Sequence, residues 1–210
     1  MIGKIWFCFV FFLFRCFFII FCGLKVRGLE NLKIKGAFIM TANHASYCDP
    51  PLFAAISHRR VNCMAKKELF DIPLLSLFIK TLGAFPVDRE GNDTSAVKKA
   101  IKLLKEGEIV GIFPEGQRVK GDKRGEASTG VALIAKQADV PVVPISIIGS
   151  ANAIKINKKI PSFSKIELIV HKPIRYEKAD PNLKEKENMR IFTDKIMDIV
   201  YYDIESRRSE

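Results

Sequence analysis

The chain has 210 residues, 48% of them hydrophobic, and its 34 Lys and Arg against 23 Asp and Glu leave a formal net charge of +11. That length and apolar content support one well-cored domain rather than two, and the charge calls for an anionic partner: nucleic acid, phospholipid headgroups, an acidic carrier or a phosphorylated substrate. Five cysteines with no C-x-x-C pair, three of them (Cys8, Cys16 and Cys22) inside the first apolar run, argue against a disulfide framework and for reduced thiols in the cytosol.

The chain opens on a Phe-rich apolar run from Ile5 to Cys22, interrupted by Arg15. As one helix it reaches roughly 27 Å, just short of a bilayer core of about 30 Å. Arg15 adds a cost of roughly 2.5–3.5 kcal/mol if held at mid-bilayer. Two membrane arrangements stay open: a spanning helix, or one buried in a single leaflet with Arg15 snorkelling to headgroups. A signal peptide is the third reading, but Phe21-Cys22-Gly23-Leu24-Lys25 makes a poor cleavage site. Lys25 and Arg27 flank the run and keep the rest of the chain on the cytoplasmic side. The chain is therefore expected to divide into a membrane-anchoring segment over residues 1–23 and a domain over residues 24–210.

From Ala37 to Ala42 the residues have the bulk of a buried strand, and Asp49-Pro50-Pro51 reads as a helix start with Asp49 as N-cap. Val61–Ala65 is a short strand. Glu68–Leu82 is an apolar, helical segment broken at Pro73, with ordinary core the default for its leucines and membrane contact the second reading. Phe85–Val87 is strand-like. Ala96–Lys105 is an amphipathic helix with Val97, Ala100, Ile101 and Leu104 on one face, stopped by Gly107. Strand is expected over Ile109–Phe113, helix over Thr129–Gln137, and strands over Val142–Ile148 and Lys165–Val170, with Asn157–Ser162 an exposed loop. A last helix over Glu187–Ile204 places Phe192, Ile196, Ile199 and Val200 on one stripe. Strands alternating with helices define an α/β domain with a largely parallel central sheet flanked by helices.

Asn43-His44-Ala45-Ser46-Tyr47-Cys48-Asp49 lies directly after the first long strand, where ligands and catalytic groups gather in α/β sheets. A histidine titrates near neutral pH, and a carboxylate on its other nitrogen fixes its tautomer, so His44 and Asp49 brought together by the turn make a base for a hydroxyl group. Taken alone, the pair is better read as a structural histidine beside an N-cap aspartate, because six-residue patterns recur by chance; the rest of the chain changes those odds. Two more clusters come after strands in the same way: Gly83-Ala84-Phe85-Pro86-Val87-Asp88-Arg89 and Ile112-Phe113-Pro114-Glu115-Gly116-Gln117-Arg118. Parallel strands deliver such ends to one sheet edge, where Arg89 and Arg118 supply bidentate phosphate recognition and Lys66 a point charge. Lys67 reads as surface charge. Glu115 either holds Arg118 or binds a substrate hydroxyl.

These blocks, with Val140-Pro141-Val142-Val143-Pro144 after them, come in an order that resembles the glycerolipid acyltransferases, specifically the 1-acyl-sn-glycerol-3-phosphate (lysophosphatidic acid) acyltransferases, over roughly residues 24–175. The resemblance implies a glycerol-3-phosphate acyltransferase-like fold. It makes His44 the general base and Asp49 its orienting partner, places Arg89, Glu115, Gly116 and Arg118 at the glycerol-phosphate site, and puts Pro144 on the acyl-donor side. Gln117 and Val119 stand where the family more often has Thr or Ser and then Ser. It implies no metal and no cofactor, acyl-CoA or acyl carrier protein as co-substrate, lysophosphatidic acid as acceptor, and membrane phospholipids rather than nucleic acid as surroundings, at the cytoplasmic face of a bacterial inner membrane or its equivalent. Acylation of glycerol 3-phosphate or another lysolipid, and a tethered anionic-lipid-binding protein without catalysis, are the alternatives. Ser46 and Cys48 offer a covalent route. His58 and His171 stand in no metal-ligand spacing.

Overall fold

The computed structural model describes residues 2–88, 94–119, 123–155 and 162–207. A seven-stranded sheet runs in the order β1-β9-β6-β2-β5-β3-β4, built from β1 (Lys25–Arg27), β2 (Phe38–Ala42), β3 (Val61–Lys66), β4 (Phe85–Val87), β5 (Ile109–Ile112), β6 (Val142–Ile148) and β9 (Glu167–Val170). The five strands from β6 to β4 are mutually parallel, whereas β9 runs antiparallel to β6 and carries β1 with it. Two-residue strands β7 (Ile154–Lys155) and β8 (Ser162–Phe163) form a separate hairpin.

Among the described residues six α-helices accompany the sheet: α1 (Ile2–Cys22), α2 (Asp49–Ile56), α3 (Pro73–Thr81), α4 (Thr94–Lys105), α5 (Gly130–Ala138) and α6 (Glu185–Ser206). Strand β2 is buried at every residue, as expected of a parallel strand covered on both faces. Its alternation divides the core. Phe38, Met40 and Ala42 join α2 residues Leu52 and Phe53 and α1 residues Phe18 and Cys22 on one face. Ile39 joins Ala100 and Leu104 of α4, Val131 and Ile134 of α5, and Ile196 and Val200 of α6 on the other. Thus α1 packs on α2 and contributes to the core through Phe18 and Cys22, 2% and 1% exposed, rather than standing apart from it.

Several expectations from the sequence are refined by the structure. Pro73 does not break a helix but begins α3, where its missing N–H costs nothing. The apolar side chains of α3 are not core: Leu74 is 84% and Leu77 65% exposed, and Ser76 is the residue the helix buries. Asp49 is not an N-cap. Cys48 takes that position in a helical conformation without a side-chain cap, and Asp49 is the first helical residue, its carboxylate turned back to the preceding turn. Among the described residues no helix is long and apolar enough to cross a membrane. The expected loop at Asn157–Ser162 lies outside the described residues apart from Ser162 in β8.

Candidate active site

The parallel strands bring the C-terminal ends of β2, β5, β3 and β4 to one edge. The chain leaves β2 through Asn43, whose side chain takes over where the main-chain ladder stops. Asn43 Nδ2 donates to the Ile147 carbonyl (2.9 Å), and its Oδ1 accepts the Ile147 N–H (2.8 Å). An amide side chain can imitate a peptide in this way, so the backbone is free to turn toward His44 while β6 stays satisfied. No local pattern in the sequence pointed to this role for Asn43.

Inside the turn, Asp49 Oδ2 lies 2.8 Å from His44 Nδ1 and accepts the backbone N–H groups of Ala45 (2.8 Å) and Ser46 (2.7 Å). Asp49 is fully buried and His44 is 7% exposed. A buried anion requires such donors, and Asp49 has the N-terminus of α2 around it as well. With Nδ1 committed to the carboxylate, Nε2 is the nitrogen left to take up a proton. The imidazole stacks on Phe113 at 4.4 Å between centroids, and Phe113 on Phe53 of α2 at 4.9 Å. The Val119 N–H donates to the His44 carbonyl (2.7 Å), and the His44 N–H donates to Glu115 Oε2 (2.7 Å). Ring, carbonyl and N–H of His44 are therefore all held.

Glu115 faces the protein rather than Arg118. Its Oε1 accepts the Gly125 N–H (3.0 Å) and the Tyr201 hydroxyl of α6 (2.5 Å). Gly116 turns the chain at φ 67°, a left-handed conformation that glycine adopts without strain. Arg118 beyond it is exposed; its guanidinium lies 3.6 Å from the Tyr47 ring centroid, and Nη2 donates to the Tyr47 hydroxyl (2.9 Å). Lys66 ends β3 on the same edge and pairs with Glu68 at 2.8 Å. Arg89 lies outside the described residues. Pro144 sits inside β6 opposite Thr41, below the level of Asn43, and its carbonyl accepts the His171 N–H (2.9 Å). That placement gives it a part in the sheet.

Burial pushes the Cys48 thiol above its ordinary value; a hydrogen bond with Ser46 pulls it partly back, and the Asp49 carboxylate adds to the rise. A thiol kept protonated is a poor nucleophile. Cys48→Ala should therefore retain most of any acyl-transfer activity, and isolation of an acyl thioester on Cys48 would contradict this. Ser146, His171 and Asp203 form a serine–histidine–aspartate grouping elsewhere in the fold, but not a catalytic one. Ser146 Oγ (2.8 Å) and Asp203 Oδ2 (3.5 Å) face the same nitrogen, His171 Nε2, and the fully buried Ser146 hydroxyl donates to the Val200 carbonyl. Burial lowers the His171 pKa, with Asp203 opposing it. Among the described residues no cluster of three His, Cys, Asp or Glu side chains could hold a metal ion.

A histidine–aspartate pair on the carboxyl edge of a largely parallel sheet suits proton transfer to or from a hydroxyl, and comparison with known proteins supplies the class. Residues 23–148 match the family model described as Acyltransferase, more than half of the chain. The chain belongs to the acyltransferase family. It is 37% identical over 174 residues to the 1-acyl-sn-glycerol-3-phosphate acyltransferase of Bacillus subtilis (strain 168), covering 82% of this chain and 83% of that protein. It is 29% identical over 164 residues to the chloroplastic 1-acyl-sn-glycerol-3-phosphate acyltransferase LPAT1 of Arabidopsis thaliana, covering 76% of this chain but spanning only 46% of that longer relative. The crystal structure of the 1-acyl-sn-glycerophosphate (LPA) acyltransferase PlsC from Thermotoga maritima superposes with a TM-score of 0.70 at 28% identity, over 89% of this chain and 73% of that one.

Proposed function

We propose that this acyltransferase moves a fatty acyl group from acyl-CoA or acyl carrier protein to the sn-2 hydroxyl of 1-acyl-sn-glycerol 3-phosphate, giving phosphatidic acid. The observation that carries the reading is the buried His44–Asp49 pair next to Arg118 on one sheet edge. The names of the relatives support the acceptor. The acceptor hydroxyl gives its proton to His44 Nε2 as its oxygen attacks the thioester carbonyl; the new C–O bond forms, the C–S bond breaks, and the proton passes to the leaving thiolate. Asp49 stabilises the imidazolium between these steps. Arg118, preset by Tyr47, binds the acceptor phosphate, and Lys66 and Arg89 add positive charge. The chemistry needs neither metal nor cofactor.

An acceptor with a lipid tail is reached at a membrane surface. Besides the packed residues of α1, its Phe9, Phe12, Leu13 and Ile20 are exposed. Trp6 donates to Thr81 Oγ1 (3.1 Å) and Phe14 meets Phe78 edge-on at 6.5 Å, which joins α1 to the exposed leucines of α3. A helix with one face on protein and the other apolar and open suits burial in one leaflet, and the net charge of +11 favours anionic headgroups at a cytoplasmic membrane face. Leu74→Glu with Leu77→Glu should reduce co-flotation with vesicles containing anionic phospholipid several-fold without changing Tm; undiminished flotation would remove α3 from the lipid contact.

The substrate assignment is tested by measuring thiol release from acyl-CoA with an acceptor panel. Lysophosphatidate is expected to be the preferred acceptor. Preference for glycerol 3-phosphate or a neutral lysolipid would move the enzyme to another acceptor class, and vesicle binding without thiol release would leave a lipid-binding protein.

A further inference from the structure

Glu115 lies in a block that leads from β5 toward the site edge, yet its carboxylate is spent on the protein. It is 7% exposed, one oxygen accepts the His44 N–H, and the other accepts Gly125 N–H and Tyr201 O–H. Tyr201 is 2% exposed and comes from α6, a helix with no place in the motifs around His44. Its hydroxyl also lies 2.9 Å from the Lys123 carbonyl. Burial and the neighbouring Glu115 carboxylate hold the Tyr201 pKa far above its ordinary value, so the phenol remains a donor.

The approach of the 123–125 segment is equally constrained. A Cβ on Gly125 would stand 2.5 Å from Val119 Cγ2 and 3.0 Å from Glu115 Oε1. Val119 is the residue whose N–H holds the His44 carbonyl. Arg124 fastens the same segment to α6 through Asp198 at 2.5 Å. Helix α6 is itself seated in the core by Phe192, Ile196, Met197, Val200 and Ile204.

We propose that Glu115 and Tyr201 are positioning residues for His44: the tyrosine of α6 fixes the Glu115 carboxylate, and that carboxylate fixes the histidine backbone, so that Glu115 acts as a strut and not as a contact to the acceptor. This rests on His44 being the general base. A charge-assisted bond to the His44 N–H fixes where the imidazole starts, and a misplacement of about 1 Å can cost about a hundredfold in rate.

The test compares Tyr201→Phe, Glu115→Gln and the double variant in the full-length protein, reading kcat, the KM for each substrate, Tm and the hydrogen exchange of the His44 amide. Tyr201→Phe should lower kcat about three- to tenfold with the acceptor KM unchanged, and Glu115→Gln should lower it further. The double variant should match Glu115→Gln, because both changes cut one chain of contacts. Exchange of the His44 amide should quicken in all three. A raised acceptor KM in Glu115→Gln with a silent Tyr201→Phe would overturn the strut and make Glu115 a substrate contact. A lowered Tm with kcat and His44 exchange unchanged in Tyr201→Phe would also overturn it, leaving a purely structural bond. If the wild type transfers no acyl group while His44 exchange still responds to Tyr201→Phe, the functional reading fails and the strut stands.

Discussion

Replacing His44 by Ala should lower acyl transfer by about 10²- to 10⁴-fold, the usual contribution of a positioned general base. The loss should fall on kcat, since the imidazole takes up its proton in the transition state rather than on binding. Asp49→Asn should cost as heavily. Asp49 Oδ2 accepts from His44 Nδ1 and from two backbone N–H groups. An amide in that place either loses part of the turn's support or presents an NH₂ to the ring, which favours the tautomer protonated on Nε2 and unable to accept a proton there. The His44→Ala protein should keep its far-UV circular dichroism spectrum and vesicle binding, because the core faces are built by other residues. Turnover within threefold of wild type in His44→Ala would remove the general-base assignment.

The second large effect concerns Arg118. Arg118→Ala should raise the KM for lysophosphatidate roughly ten- to hundredfold and leave that for the acyl donor nearly unchanged, since a charge-assisted contact is worth about 1.5–3 kcal/mol. Arg118→Lys should recover only part, because a point charge reproduces neither the bidentate fork nor the stacking on Tyr47. A lysolipid without the phosphate should be a poor acceptor for the wild type and indifferent to the change. An effect confined to the acyl donor would assign the guanidinium to the carrier side.

The sequence made the sheet legible because its central strands are short continuous apolar runs and because α4 and α6 carry clear stripes; Val142–Ile148 is a strand with the expected bounds. Strand β1 has three residues, too few to show a period, and it is defined only by pairing with β9. The pairing of His44 with Asp49 was visible as spacing plus turn chemistry. The N-cap reading of Asp49 failed because an aspartate before two prolines satisfies the capping pattern while its carboxylate is claimed by the imidazole and the two N–H groups of the turn. Leucines on α3 carry no mark that separates core from open surface, since an apolar side chain reads the same in either place. The partner of Glu115 was beyond reach for a different reason. Tyr201 stands 86 residues away and meets it only through the docking of α6, and no local pattern encodes a contact of that range.

The most direct measurement is rapid-mixing thiol release from acyl-CoA by the full-length protein in phospholipid vesicles, with and without lysophosphatidate, alongside mass-spectrometric counting of phosphatidate. Direct attack by an acceptor hydroxyl deprotonated by His44 predicts one phosphatidate per thiol, no thiol burst before acceptor is added, and loss of both products in His44→Ala. A burst equal to the enzyme concentration without acceptor, or full phosphatidate yield and rate from His44→Ala, would contradict it.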